Sequence, residues 1–462
     1  MSQRLRTAAA VAFLGLAVAG SACLSAPFAL AQQQAEPAGA TGTGEAADIE
    51  TRRLQLLQAM LAEPDNLDIA FSYAALSARI GDFEAAISTL ERMLIYAPGL
   101  PRVQLELGVL YYRLSAFDVA RQYFQAAISG PDVPPEVRER VDVYLAGIDR
   151  AEEPLKTSAA VIVGARWQSN ANAAPGDRSV TLNGLEFLLG DSAVSQSDAN
   201  AYLAATAHVS YDLASQGDLL EADLLFYGAR YAQLSRLQTE IAEITVGPSF
   251  NMARVGWDDA RLGVYAILGG VRLDGANYSG TLGAGIRLAW LPDVRSRLES
   301  KTELRRRWFN DSATYPNVSQ RNGDRVSSRL AYTWFMTPGL AFRGALSGAR
   351  EETDAADQTY WEAGASAGLR KTFASPVAVL ERPWFVDLDA GYLARWYDEP
   401  DAGIDARRSQ KDDEYWMRST LTVPVAEDWA LMLAGEYRRA VSTYPTDDYA
   451  NAAVTVSVMK KF

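Results

Sequence analysis

The amino-acid sequence predicts a two-domain chain of α plus all-β class: an N-terminal α-helical tetratricopeptide-repeat domain, then an antiparallel 14-stranded transmembrane β-barrel. Three observations carry this prediction. Small and apolar residues recur 34 positions apart in the first third of the chain. Past Lys156 the hydrophobic period changes from 3.6 to 2. Several of the period-2 segments carry an apolar face with aromatic residues at both ends, opposite a face that is small or charged.

The first 31 residues read as a signal peptide. Arg4 and Arg6 precede an apolar run from about Ala8 to Leu24, too short to span a bilayer as a helix. Two endings compete: cleavage after Ala31, where Ala29-Leu30-Ala31 fits the small-x-small rule, and lipidation of Cys23 with Gly20-Ser21-Ala22 as its lipobox. Residues 32–47, rich in Gln, Ala, Gly, Thr and Glu, lack an apolar period and read as a flexible linker.

Residues 48–153 repeat. Gly81, Ala86, Leu90 and Met93 return as Ser115, Ala120, Phe124 and Ala127, and Pro64 and Pro98 share the spacing. The pattern suits pairs of antiparallel helices, with Gly108, Ala86 and Ala120 letting them approach and Tyr111, Phe124 and Leu90 filling the space. Pro98 and Pro131 stop each second helix, Ile49 to Leu61 supplies the second helix of an incomplete earlier repeat, and Pro135 to Ile148 caps the stack. A plain helical bundle is the alternative; the shared period argues against it.

Residues 154–462 contain strand patterns at about 156–168, 201–214, 219–231, 238–251, 261–273, 278–290, 296–308, 324–336, 340–351, 358–372, 383–396, 411–424, 429–441 and 450–462. The even number suits a single-chain bacterial barrel. In 383–396, Trp384, Leu388, Tyr392 and Trp396 share one face against Asp387, Asp389 and Arg395. Trp429 to Tyr437 repeats the design over roughly 26 Å of strand, or about 20 Å of membrane normal after tilting. The alternative is a water-soluble β-domain, which has no need of two aromatic rims.

At the carboxyl end Val454, Val456, Val458 and Phe462 alternate up to the last residue and are expected to act as a membrane insertion signal; Lys460 breaks the alternation but can snorkel. Long connections at 169–200, 309–323 and 397–410 alternate with short ones at 215–218, 336–339 and 424–428, which puts the short turns and the repeat domain in the periplasm of an outer-membrane protein; the connections at 252–260 and 373–382, longer than a tight turn, weaken the alternation without reversing it.

Composition bounds the chemistry. The net charge of −13 leaves no basic face for a nucleic acid. With one Cys and one His, no thiolate or paired-His metal site, cofactor site or catalytic constellation is expected, and His208, beside Thr206, Ser210 and Asp212 in the pattern, reads as a lumen-lining residue. No segment after the signal has 18 consecutive apolar residues, so membrane crossing must use strands. Arg297, Glu299, Lys301, Glu303, Arg305 and Arg307 alternate on one face of 296–308 as lumen-lining candidates, either contacting cargo or pairing into a salt-bridged plug.

The order of signal peptide, repeat domain and barrel, with Gln168-Ser169-Asn170-Ala171-Asn172-Ala173-Ala174-Pro175 after the first strand, resembles the surface lipoprotein assembly modulator (Slam) family over nearly the whole mature chain. The resemblance implies an outer-membrane translocon that delivers lipoproteins or secreted proteins to the cell surface, with the repeat domain receiving the client. Its implied partners are that client, outer-membrane lipid and the barrel assembly machinery, and it assigns no catalytic residue. A polysaccharide-export porin is the rival; it predicts charges around the whole lumen, whereas the sequence concentrates them on a few strands. A barrel enzyme is the third reading, disfavoured by the lone histidine and the lack of a nucleophile elbow.

Overall fold

The computed structural model describes residues 43–130, 133 and 135–462. The signal peptide with its two endings, the linker as far as Gly42, and Pro131 lie outside the described residues. The chain forms two compact units that meet at Glu153/Pro154.

The helical unit contains α1 (Thr43–Ala62), α2 (Leu67–Arg79), α3 (Phe83–Tyr96), α4 (Pro101–Arg113), α5 (Phe117–Ala127) and α6 (Pro135–Glu152). Helix α1 begins inside the stretch read as linker, where Glu45, Ala46 and Ala47 are residue types of high helix propensity. Capping sets the other starts. The Asn66 side chain accepts from the Ile69 amide at the head of α2, the Asp82 side chain accepts from the Ala85 amide at the head of α3, and Pro101 opens α4.

The 34-residue repeat appears as two helical hairpins, α2–α3 and α4–α5, whose tight turns hold Gly81 (φ 86°) and Ser115 (φ 58°) at equivalent positions. The second hairpin closes because Gly108 lacks a side chain: a Cβ there would lie 2.6 Å from the ring of Phe124. Phe124 is fully buried and stacks on Tyr144 of α6 at a centroid distance of 5.0 Å, which seats the capping helix.

The β unit contains β1 (Leu155–Gln168), the small hairpin β2 (Ser179–Leu182) and β3 (Leu185–Leu188), β4 (Asp198–Asp212), β5 (Leu219–Tyr231), β6 (Thr239–Asn251), β7 (Ala260–Leu273) and β8 (Ala276–Asp293). It continues with β9 (Ser296–Phe309), β10 (Gly323–Thr337), β11 (Leu340–Thr353), β12 (Tyr360–Phe373), β13 (Trp384–Tyr397), β14 (Lys411–Pro424), β15 (Trp429–Ser442) and β16 (Tyr449–Lys461). All but β2 and β3 form one closed antiparallel barrel of 14 strands, each paired with its chain neighbours. It closes where Val163 of β1 stands opposite Leu203 of β4 on one side and Val458 of β16 on the other. No sheet edge remains unpaired along the wall, which is the condition for strands to cross lipid.

The strand patterns expected between residues 156 and 462 all correspond to barrel strands. The hairpin β2–β3 was hidden inside the connection at 169–200, although its turn, Asn183-Gly184 with φ 49° and 80°, is a strong hairpin signal. The long–short alternation is not kept everywhere: at the long-loop end β7 and β8 are joined by Asp274-Gly275 alone, with φ 53° and 76°, and at the short-turn end the connections 252–259 and 374–383 are longer than tight turns. The chain enters the barrel at the end that carries the short turns 294–295 and 338–339.

Candidate functional site: the barrel lumen

Burial alternates along the strands and identifies the two faces. Leu388, Leu433 and Leu282, half exposed, point outward, whereas Asp387, Arg438 and Gly285, their neighbours at odd spacing, are buried on the inner side. Trp167, Trp308, Trp361 and Trp396 face outward toward the long-loop end, and Tyr211, Trp334 and Trp429 toward the short-turn end. The outer surface is therefore an apolar band between two aromatic girdles, the face a transmembrane barrel shows to lipid. Among the described residues no helix is long and apolar enough to cross a membrane.

Val454, Val456 and Val458 lie on this outer face, and Phe462 closes it at the short-turn end, paired with Ala159 through both backbone groups. The Lys460 ammonium sits over the rings of Trp429 and Phe462 at 5.2 and 4.5 Å, so the residue that breaks the apolar alternation spends its charge on aromatic faces.

Six of the seven charged residues of β9 point inward and every one of the six is paired, while Arg306 faces outward beside Trp308 and bridges Asp324 at 3.0 Å. Arg297 bridges Glu299 at 2.7 Å, Lys301 bridges Glu303 at 2.7 Å, and Arg305 bridges Glu303 at 2.9 Å. Arg305 also reaches Glu243 on β6 at 2.6 Å, and Arg307 pairs with Glu351 on β11. Arg287 of β8 reaches β5, bridging Glu221 at 2.9 Å and Asp223 at 2.8 Å. Arg287 and Arg305 each cross to a strand three places away, so these links pass through the interior of the barrel and do not merely run along its wall. Fourteen tilted strands enclose a backbone circle of roughly 28 Å, within which such chords are short enough for an arginine and a carboxylate to span.

Local sequence explains the reach. A Cβ at Gly263 would meet Arg287 at 2.9 Å, and one at Gly285 would meet the Tyr265 ring at 2.4 Å. These glycines leave a flat wall over which the Arg287 stem and the Tyr265 ring lie, and the Tyr265 hydroxyl donates to Glu303 at 2.9 Å. His208 belongs to the same network, with Nδ1 2.7 Å from Asp223.

The charges are not confined to a few strands. Arg325 of β10 joins Glu351 and Glu362, Arg343 of β11 joins Asp387 and Asp389, and Arg395 of β13 joins Glu362. Arg418 of β14 and Arg166 of β1 converge on Glu436 of β15. Ion pairs thus line most of the circumference, which corrects the expectation of a localised charge distribution. The reason lies in the alternation: β9 shows its charges as a dense run, whereas most other strands place one to three among small residues, and only barrel closure brings them together.

Sequence reasoning also missed the long-loop end of the lumen. The Asn-rich stretch turns inward: Ala171 packs against Ala229 and Tyr231 of the inner wall and against Leu237 of the β5–β6 connection, and Ala173 packs against Ala440 and Tyr449 of the inner wall. Asn170 and Asn172 are buried there.

No family model matches the sequence, and no curated protein matches it. Among solved structures, a bacterial polysaccharide outer membrane secretin aligns with 10% identity over 66% of this chain and 98% of its own, with a TM-score of 0.36. The Yersinia enterocolitica type III secretion chaperone SycD in complex with a peptide of the translocator YopD aligns with 14% identity over 24% of this chain and 86% of its own, with a TM-score of 0.22. PcrH in complex with the chaperone-binding region of PopD aligns with 13% identity over 24% of this chain and 84% of its own, also at 0.22. What the chain shows by its own geometry is a helical-repeat unit joined to a closed barrel of transmembrane type with an ion-paired lumen.

Proposed function

We propose that this chain is an outer-membrane translocon that delivers lipoproteins or secreted proteins from the periplasm to the cell surface, acting in transport and not in catalysis. The observation that carries the proposal is the covalent union of a helical-repeat unit with a lipid-facing barrel, joined at the short-turn end. Short turns of such barrels lie in the periplasm. On that orientation the repeat unit meets an unfolded client before it reaches the membrane. The client then passes through the lumen or through an opening between β1 and β16, and folding outside draws it forward. Client, outer-membrane lipid and the barrel assembly machinery are the proposed partners.

The charged circumference of the lumen favours a second reading, export of a polysaccharide. One experiment separates them. Intact cells with and without the chain are shaved with protease, and their surface polysaccharide is measured in parallel. The proposal expects the loss of one or more surface-exposed proteins with polysaccharide unchanged. Unchanged surface proteins with lost polysaccharide would establish the second reading instead.

A further inference from the structure

At the long-loop end of the barrel the connecting loops form a continuous hydrogen-bonded ring. In the β1–β4 connection, Asn183 at the tip of the β2–β3 hairpin donates its amide to the carbonyl of Ile404, at 2.8 Å, and accepts at its side chain from Ala406, also at 2.8 Å. Those partners belong to the β13–β14 connection, 398–410. The same connection holds Tyr444 of the β15–β16 loop, whose hydroxyl accepts from the Asp401 amide at 2.8 Å. On the other side, Arg236 of the β5–β6 loop donates to the carbonyl of Ser192 at 3.0 Å, and its own carbonyl accepts from Tyr315 of the β9–β10 loop. Arg321 of that loop donates to Gln358 of the β11–β12 loop at 3.1 Å, and the Asp398 amide donates to the carbonyl of Thr359 at 2.9 Å, which completes the circuit.

Inside this ring sits the stretch from Asn170 to Pro175. Its contacts with Ala229 and Tyr231 of β5, Ala440 of β15 and Tyr449 of β16 are all with inward-facing residues, so it occupies the lumen. A chain segment placed there has no sheet to satisfy its polar groups, and a bare polar backbone inside a wall is costly. Two asparagines solve this. Asn170 donates from its side chain to the carbonyls of Ala174 at 2.8 Å and Ala450 at 3.1 Å, and accepts from the Ala174 amide at 3.1 Å. Asn172 donates to the carbonyl of Val194 and accepts from the Gln196 amide, both at 2.8 Å. Asn451 of β16 accepts from the Asn170 amide at 3.0 Å and fastens the segment to the wall. The left-handed backbone at Ala173, φ 46°, is the conformation the segment must hold to turn back on itself.

We propose that Asn170–Pro175 is a stopper lodged in the lumen beneath the loop ring, held by Asn170, Asn172 and Asn451, and that it must be withdrawn before the barrel conducts. The bonds that hold it are ordinary hydrogen bonds within one loop and to one strand, and they can be broken without unzipping the barrel wall. This reading is independent of what the barrel transports.

Ionic current through the full chain in a planar lipid bilayer tests it. Two variants are compared with the native chain: one in which Asn170–Pro175 is replaced by glycine and serine at equal length, and Asn451→Ala, which leaves the stopper's sequence intact. Folding of each is checked by the shift in gel mobility between unheated and boiled samples. The expected result is a native channel that is closed or briefly open, a several-fold rise in mean current for the exchanged chain, and more frequent openings for Asn451→Ala. Should the exchanged chain fail to fold, Asn451→Ala decides alone. Folded variants as closed as the native chain would overturn the proposal, as would a native chain that conducts steadily at the level of the exchanged one.

Discussion

Gly263 and Gly285 show how single residues shape the lumen. Their missing side chains let Tyr265 and Arg287 lie across β7 and β8, and from there Arg287 reaches Glu221 and Asp223. Gly285→Val would drive the Tyr265 ring off Glu303 and unseat Arg287. We expect the barrel still to assemble and the temperature at which it loses its folded gel mobility to fall, with Gly435→Val, where a Cβ meets nothing within 4 Å, as the control. In the helical unit, Ser115 holds a left-handed conformation that costs a non-glycine residue about 1 kcal/mol. Ser115→Gly should therefore raise the stability of that unit by about 1 kcal/mol, less what the freer unfolded chain takes back, read as a higher urea midpoint of helical ellipticity. The opposite change in packing is larger: Phe124→Ala, at a fully buried site between Gly108 and Tyr144, should lower stability by about 3 to 5 kcal/mol on the same assay. Gly81 and Ser115 were visible in the sequence as equivalent positions; the roles of Gly263 and Gly285 were not, because they depend on which residues the neighbouring strands bring opposite.

At the level of elements, the strands were legible and the loops were not. A strand announces itself by a period of two, and β9, β13 and β15 each carry that period over a full membrane height. A loop that folds into a lumen has no period, and the Asn-rich stretch gave no sign in the sequence that it turns inward. Its partners, Asn451 and Tyr449, lie more than two hundred residues away. The same holds for Asp447 in the β15–β16 loop. Burial, and then the negative charge of Asp412, push its carboxyl up to about 7, while the Thr446 hydroxyl and Arg321 act in the opposite sense and Asp401 adds a further negative charge. An unfolded aspartate loses its proton near about 4. Between about 4 and about 7 the closed loop keeps a proton that the opened loop has released, so closure weakens as pH rises through that window and is weakest above it. Hydrogen exchange of residues 443–448, corrected for the intrinsic rate, should be slower at pH 5 than at pH 8 in the native protein, and Asp447→Asn should remove most of the difference.

For the whole molecule, the decisive property is that an apolar surface encloses a polar one. The wall has no free edge, its outer band is bounded by aromatic girdles, and its inner face is neutralised by arginine–carboxylate pairs that would be costly toward lipid. The alternation was readable strand by strand, and it predicted a lumen; the distribution of charge around that lumen required closure to be seen. Charge pairs exposed to water contribute little, but those crossing a crowded interior fix the positions of the strands they join and narrow the path between them.

The most direct test of this inside–outside arrangement uses spin labels placed singly along β13 in the full chain reconstituted in lipid, from Leu388 through Asp389, Ala390 and Gly391 to Tyr392. Collision with dissolved oxygen, which concentrates in lipid, should be high at Leu388, Ala390 and Tyr392 and low at Asp389 and Gly391, alternating with a period of two. Uniform accessibility to a water-soluble relaxation agent on both faces, with no oxygen alternation, would mean that the β unit is not a barrel in a membrane.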